Sequence, residues 1–86
     1  MTYKSHSYAK ATELLRQGIA QSPKNRDTYE MRINLGIILR VTQKFDEARS
    51  VFVGLLADLK RERDTRFQNL IPLTEDQLRD LPKANF

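Results

Sequence analysis

The stretch Leu35-Gly36-Ile37-Ile38-Leu39-Arg40-Val41-Thr42-Gln43-Lys44-Phe45-Asp46-Glu47-Ala48-Arg49-Ser50-Val51-Phe52 decides the fold. Its first half is almost wholly apolar, its middle is a polar triplet, and its second half spaces Phe45, Ala48 and Phe52 at three- and four-residue intervals. That spacing puts all three on one face of a helix, which Leu55, Leu56 and Leu59 continue. Thr42, Gln43 and Lys44 are too short a link for anything but a turn back, so the stretch predicts an antiparallel helical hairpin. Upstream, Asp27 with Glu30 three residues later predicts a capping box at the start of the leading helix. The apolar set of that helix (Met31, Ile33, Leu35, Ile37, Ile38, Leu39 and Val41) is broad enough for packing on more than one side. Gly36 costs a helix interior about 1 kcal/mol relative to alanine. Its presence predicts close approach of a neighbouring helix.

Outward from the hairpin, Tyr8, Ala11, Leu14, Leu15, Gly18 and Ile19 recur at helical spacing and predict an earlier helix over residues 5–21. Ser22-Pro23 stops it, because the residue before a proline is pushed out of helical geometry. Downstream, the charged run Lys60-Arg61-Glu62-Arg63-Asp64 has no apolar stripe. It is expected to be a solvated extension of the third helix towards Phe67, with Glu62 and Arg66 at i,i+4 spacing. Thr74 with Gln77 predicts a second capping box and a short helix over residues 75–80, placing Leu78 and Leu81 inward before Pro82. The expected architecture is all-α: three main helices over residues 1–69, then residues 70–86 as a capping segment or tail.

Composition narrows the function classes. At 40% hydrophobic and 30% charged, with few glycines and prolines, the 86 residues suit one folded domain. With no cysteine there is neither a disulfide framework nor a cysteine zinc site. The first ten residues lack the apolar stretch of a secretory signal, and no run approaches a membrane span, so a cytoplasmic location is the default expectation. The net charge of +4 is spread over both ends and interleaved with acids, unlike the dense cluster of a phosphate-binding face. His6 is the one histidine and falls near the N-terminus. No glycine-rich phosphate loop, nucleophile elbow or paired histidine–glutamate motif is present. The expectation is a protein that is not an enzyme and holds no cofactor or metal.

The chain also repeats itself. Tyr8-Ala9-Lys10-Ala11 and Phe45-Asp46-Glu47-Ala48 share an aromatic–x–x–Ala opening, each followed four residues after the alanine by a large apolar residue, Leu15 or Phe52. The copies lie 37 residues apart, against about 34 in tetratricopeptide repeats. Leu35, Gly36 and Leu39, then Ala48 and Phe52, with Phe45 opening the second helix, resemble that family's pattern across residues 7–62. Tyr8, Ala11 and Pro23 match it in a partial first copy that lacks its leading helix. Arg32 stands where the family often has tryptophan, and Lys60 where it ends on proline.

The resemblance implies a module that binds a peptide or helix along a face made by Glu30, Ile33, Asn34, Ile37 and Arg40. Asn34 holds a position that contacts ligand backbone in peptide-binding members, and an amide donates and accepts at once. The family's units need about three repeats for stability, so one and a half imply self-association as a homodimer, completion by a protein partner, or capping by residues 70–86. An adaptor or chaperone role is the narrower form of this expectation. The alternative is a small basic helical nucleic-acid-binding regulator, against which Phe45, Asp46 and Glu47 make a poor entry into a DNA groove.

Overall fold

The computed structural model describes residues 3–22 and 24–82, with the side chains of residues 3–6 and 25 excepted. Four α-helices follow one another: α1 (Tyr3–Gln21), α2 (Tyr29–Val41), α3 (Phe45–Arg61) and α4 (Leu70–Asp80). Short 3-10 turns, Asn25–Thr28 and Thr65–Phe67, precede α2 and α4, and there is no strand among the described residues. The chain is all-α. No helix among the described residues is long and apolar enough to cross a membrane.

Each helix packs chiefly on the next in the chain, and the residues that meet run in opposite order. Gly18 lies against Met31, and Ala11 shares a groove with Ile38, so α1 and α2 are antiparallel. Gly36 lies against Phe52 and Arg32 pairs with Asp58, which makes α2 and α3 an antiparallel hairpin as expected. Leu81 joins the cluster of Ala48 and Phe52, while Leu70 packs near Leu55 and Leu59, so α4 also reverses on α3.

The α2–α3 link shows why three residues suffice. Lys44 N–H donates to Leu39 O at 2.8 Å and Gln43 N–H to Arg40 O at 3.0 Å, the paired bonds of a Schellman ending. This requires Gln43 to take a left-handed backbone, with φ 65°. The Thr42 hydroxyl adds a bond to Ile38 O at 2.9 Å.

Two apolar clusters form the core. Leu35, Leu39, Ala48, Phe52 and Leu81 make one; Tyr29, Ile33, Leu55 and Leu59 make the other. The inward placement of Leu78 and Leu81 holds: Leu81 is buried and Leu78 packs beside it. Gly36 is the close approach anticipated, since a Cβ there would stand 2.4 Å from Phe52 Cζ. Leu14, on the apolar stripe of α1, lies outside both clusters. It is 57% exposed and does not face the core.

Both capping boxes are absent. Asp27 lies inside the 3-10 turn, and α2 starts after Thr28 without a side-chain cap. The turn delivers Thr28 already in helical backbone (φ −100°, ψ −3°), whereas a capping box needs an extended N-cap. Thr74 is not a cap either: α4 begins four residues earlier, with Pro72 in its first turn, where a missing N–H is harmless. Thr74 is fully buried and turns its hydroxyl back to Leu70 O at 2.8 Å. Pro23 and residues 83–86 lie outside the described residues, as does the side chain of His6; α1 itself ends at Gln21, with Ser22 N–H and Oγ both bonded to Gly18 O.

Candidate functional site

Two of the surface hollows differ in their chemistry. The polar one, of about 250 Å³, is lined by Tyr29, Asp58, Arg61 and Glu62. It lies where the third helix was expected to run on. Instead α3 ends at Arg61, and Glu62 turns into extended backbone (φ −73°, ψ 128°). The cause is tertiary. The Glu62 carboxylate accepts from Arg26 Nη2 at 2.7 Å and Nε at 3.3 Å, from Tyr29 Oη at 2.8 Å, and from Asp64 N–H at 3.0 Å. A helical Glu62 bonded to Arg66 would forfeit all four. Arg66 pairs with Asp64 instead, at 2.6 Å.

These bonds set the electrostatics. The Arg26 guanidinium, then the Asp64 N–H and the Tyr29 hydroxyl, hold the Glu62 carboxyl well below the usual carboxylate range, at about 2. Burial, reinforced by the bond to Glu62, pushes the Tyr29 phenol up to about 12. Phe67 completes the cluster, edge-on to Tyr29 with centroids 5.1 Å apart and with the Arg26 and Arg66 guanidinium carbons 5.9 and 5.8 Å from its centre. Asp58 is engaged by Arg32 at 2.8 Å and Arg61 at 3.1 Å. Every group lining this hollow is already bonded to a neighbour, so the hollow is a structural joint with little left to offer a ligand.

The apolar hollow is the better candidate. It is a groove of about 450 Å³ between α1 and α2, lined by Ala11, Leu14, Leu15, Asn34, Ile37 and Ile38. Its volume lies within the range of ligand sites, and Leu14, 57% exposed, leaves it open to solvent. Successive helical residues step 100° around the axis, so Leu14-Leu15 and Ile37-Ile38 each place one side chain on the inter-helix seam and one at the rim. Asn34 supplies the only side-chain amide of the lining, and it is exposed. Val41, one turn beyond Ile37 and Ile38 on α2, is 51% exposed. Among the described residues no cluster of three or more His, Cys, Asp or Glu is placed to hold a metal ion.

The five residues named from sequence divide between these surroundings. Asn34 and Ile37 line the groove. Glu30 is exposed one turn from Asn34, and Arg40 is half-buried. Ile33 is only 7% exposed and packs with Tyr29, Leu55 and Leu59, so it belongs to the core. Ala11, Leu14, Leu15 and Ile38 were not among the five. Their signal was present as adjacent apolar pairs on two consecutive helices, which one neighbour cannot bury. Comparison with family models, with characterised proteins and with solved structures finds no match.

Proposed function

We propose that this chain is a non-enzymatic, tetratricopeptide-like protein–protein interaction module, an adaptor or chaperone in the cytoplasm, that takes an apolar peptide or helix in the α1–α2 groove. The observation that carries the reading is the groove itself: Leu14, Ile37 and Ile38 present apolar surface beside the exposed amide of Asn34. Apolar anchors beside one group able to hold backbone are what recognition of a helix or strand requires. The chain-neighbour packing of the helices supports the repeat resemblance, because solenoid units contact mainly their neighbours. Shape agrees: the shortest dimension is 20 Å, about two helix diameters. Against the nucleic-acid alternative, Arg16, Arg26, Arg32, Arg49, Arg61, Arg66 and Arg79 each already pair with an acid, which leaves those seven less free to meet phosphate.

The test is to pan a random peptide library against the full chain and titrate the selected peptides into the wild type and into Leu14→Arg and Asn34→Ala. Peptides with apolar residues three or four apart should bind the wild type and lose at least tenfold on either substitution. Selected peptides that bind all three proteins equally, or a library that yields none, would end the peptide reading.

A further inference from the structure

The chain carries no cysteine and two methionines, Met1 and Met31. Beyond its first residue it therefore has a single sulfur atom, and thioethers are among the few side-chain groups that peroxides oxidise. That sulfur sits where α1 and α2 meet. A Cβ added at Gly18 would stand 2.9 Å from Met31 Sδ and 4.0 Å from its Cε, so the thioether lies over the Gly18 Cα hydrogen. Met31 is only half-buried, and the residue is not sealed from solvent.

The contact continues the seam of the α1–α2 groove by one turn. Gly18 follows Leu15 by three residues on α1, and Met31 precedes Asn34 by three on α2, so each shares a helix face with a residue of the groove lining. It also falls where α1 ends, since Gly18 O accepts from Ser22 N–H at 3.1 Å and from Ser22 Oγ at 2.9 Å. Elsewhere α1 is held by Leu15 and Ile19, packed against the core, and by the Arg16–Glu47 pair at 3.3 Å. That pair is exposed on both sides and adds little. The Met31–Gly18 contact is thus a substantial part of what keeps the C-terminal end of α1 on α2.

We infer that Met31 is a redox-sensitive latch, whose oxidation by hydrogen peroxide releases α1 from α2 and weakens binding in the groove. A lone pair on Sδ attacks one peroxide oxygen, so that an S–O bond forms and the O–O bond breaks. The hydroxide set free takes the proton from the new S–OH and leaves as water; sulfur has lost two electrons and the peroxide has gained them. The sulfoxide puts a polar oxygen on an atom that rests against a C–H group, where no ordinary hydrogen bond is on offer. The oxygen gains its hydrogen bonds by reaching water, either as the side chain swings out or as the end of α1 lifts. Both movements break the contact with Gly18. The wall made by Ala11, Leu14 and Leu15 then loses its support one turn away. This last step rests on the groove being a protein-binding surface; the release of α1 does not.

Amide hydrogen exchange read by mass spectrometry, on the full chain before and after mild treatment with hydrogen peroxide, decides the matter. In the oxidised wild type the α1 amides should exchange roughly tenfold faster while those of α3 stay as they were. Met31→Leu, a volume-conserving change that keeps Met1, should give no response to peroxide. Met31→Gln, which places a polar group at the same contact, should reproduce the loosening without oxidant. Peptides selected by panning should bind the oxidised wild type roughly tenfold more weakly than the untreated protein. A Met31 that stays reduced in the folded chain, an α1 whose exchange is unchanged by oxidation, a Met31→Leu protein that responds like the wild type, or an α3 that loosens together with α1 would overturn the inference. Panned peptides that bind the oxidised chain as tightly as before overturn the latch and leave the groove reading in place. A library that yields no peptide, with α1 still released by oxidation, does the reverse.

Discussion

Gly36→Ala tests the helix packing at its tightest point. In an isolated helix the change stabilises, by about 0.8–1.0 kcal/mol. In this protein the new methyl would stand 2.4, 2.6 and 2.9 Å from three ring carbons of Phe52, far inside contact distance for carbon atoms. Phe52 has no exposed surface and packs within the cluster of Leu35, Leu39, Ala48 and Leu81, so the ring cannot swing aside without moving the hairpin. Overpacking of this kind costs typically 1–3 kcal/mol, and three ring carbons inside 3 Å of the new methyl place this site at the upper end. Subtracting the propensity gain leaves a net destabilisation of about 1–2 kcal/mol. Urea unfolding followed by circular dichroism reads this as a lower midpoint at constant slope. Phe52→Leu in the Gly36→Ala background makes room for the methyl, so the double variant should lose less than the sum of the singles. A Gly36→Ala protein as stable as the wild type, or more so, would refute the close approach and with it the way α2 and α3 are packed.

Gln43→Gly should stabilise by about 0.5–1 kcal/mol, because Gln43 bears a left-handed backbone that glycine adopts freely; thermal melts check it, and a loss of stability would contradict the Schellman ending. The Glu62 carboxyl, held at about 2 against about 4.3 unfolded, contributes stability that is complete above the unfolded value and lost as pH falls from there through 2. Glu62→Gln should therefore flatten the acid limb of melting temperature against pH, and an unchanged limb would place the acid sensitivity elsewhere. The Tyr29 phenol, raised to about 12 from about 10 unfolded, contributes stability present below pH 10 and lost as pH rises towards 12. Tyr29→Phe should remove that alkaline loss and cost about 1–2 kcal/mol at neutral pH through the missing bond to Glu62; an alkaline limb that persists in the variant would count against it.

What could be read from the sequence follows from the range over which each signal acts. The hairpin was legible because Phe45, Ala48, Phe52, Leu55 and Leu59 repeat at a period that only a helix satisfies, and all but Phe45 are fully buried. Gly36 was legible because a glycine inside a helix needs a neighbour to justify it. The capping boxes failed at the same range: Asp27 and Thr74 have the right residue type and spacing, but tertiary packing moved each helix start by a few residues. Glu62 was out of reach altogether, since its partners Arg26 and Tyr29 lie 36 and 33 positions away. Local spacing offered Arg66 in their place. At the groove, Asn34 and Ile37 were named through a family resemblance, while Leu14 was read only as part of the apolar stripe of the first helix, because a 100°-wide stripe does not separate the seam from its rim.

The two sides of the molecule have been solved in opposite ways, and the contrast bears on function. Where the first 3-10 turn meets the end of α3, Arg26, Tyr29, Glu62, Asp64 and Arg66 are bonded to one another around Phe67, and the surface there is complete. Along the α1–α2 face the same chain leaves Leu14 and Val41 more than half exposed. Scattered exposed leucines need no explanation, but Leu14 lines a groove with Ile37 and Ile38 in its wall. That apolar lining is the observation behind the proposed recognition role. Nothing in the core depends on the Leu14 side chain, so a charge placed there leaves the fold intact and removes only what the groove can bind. That separation is why Leu14→Arg serves as the decisive variant for the peptide reading. A substitution that is silent in stability but loud in association assigns the site to recognition and not to folding.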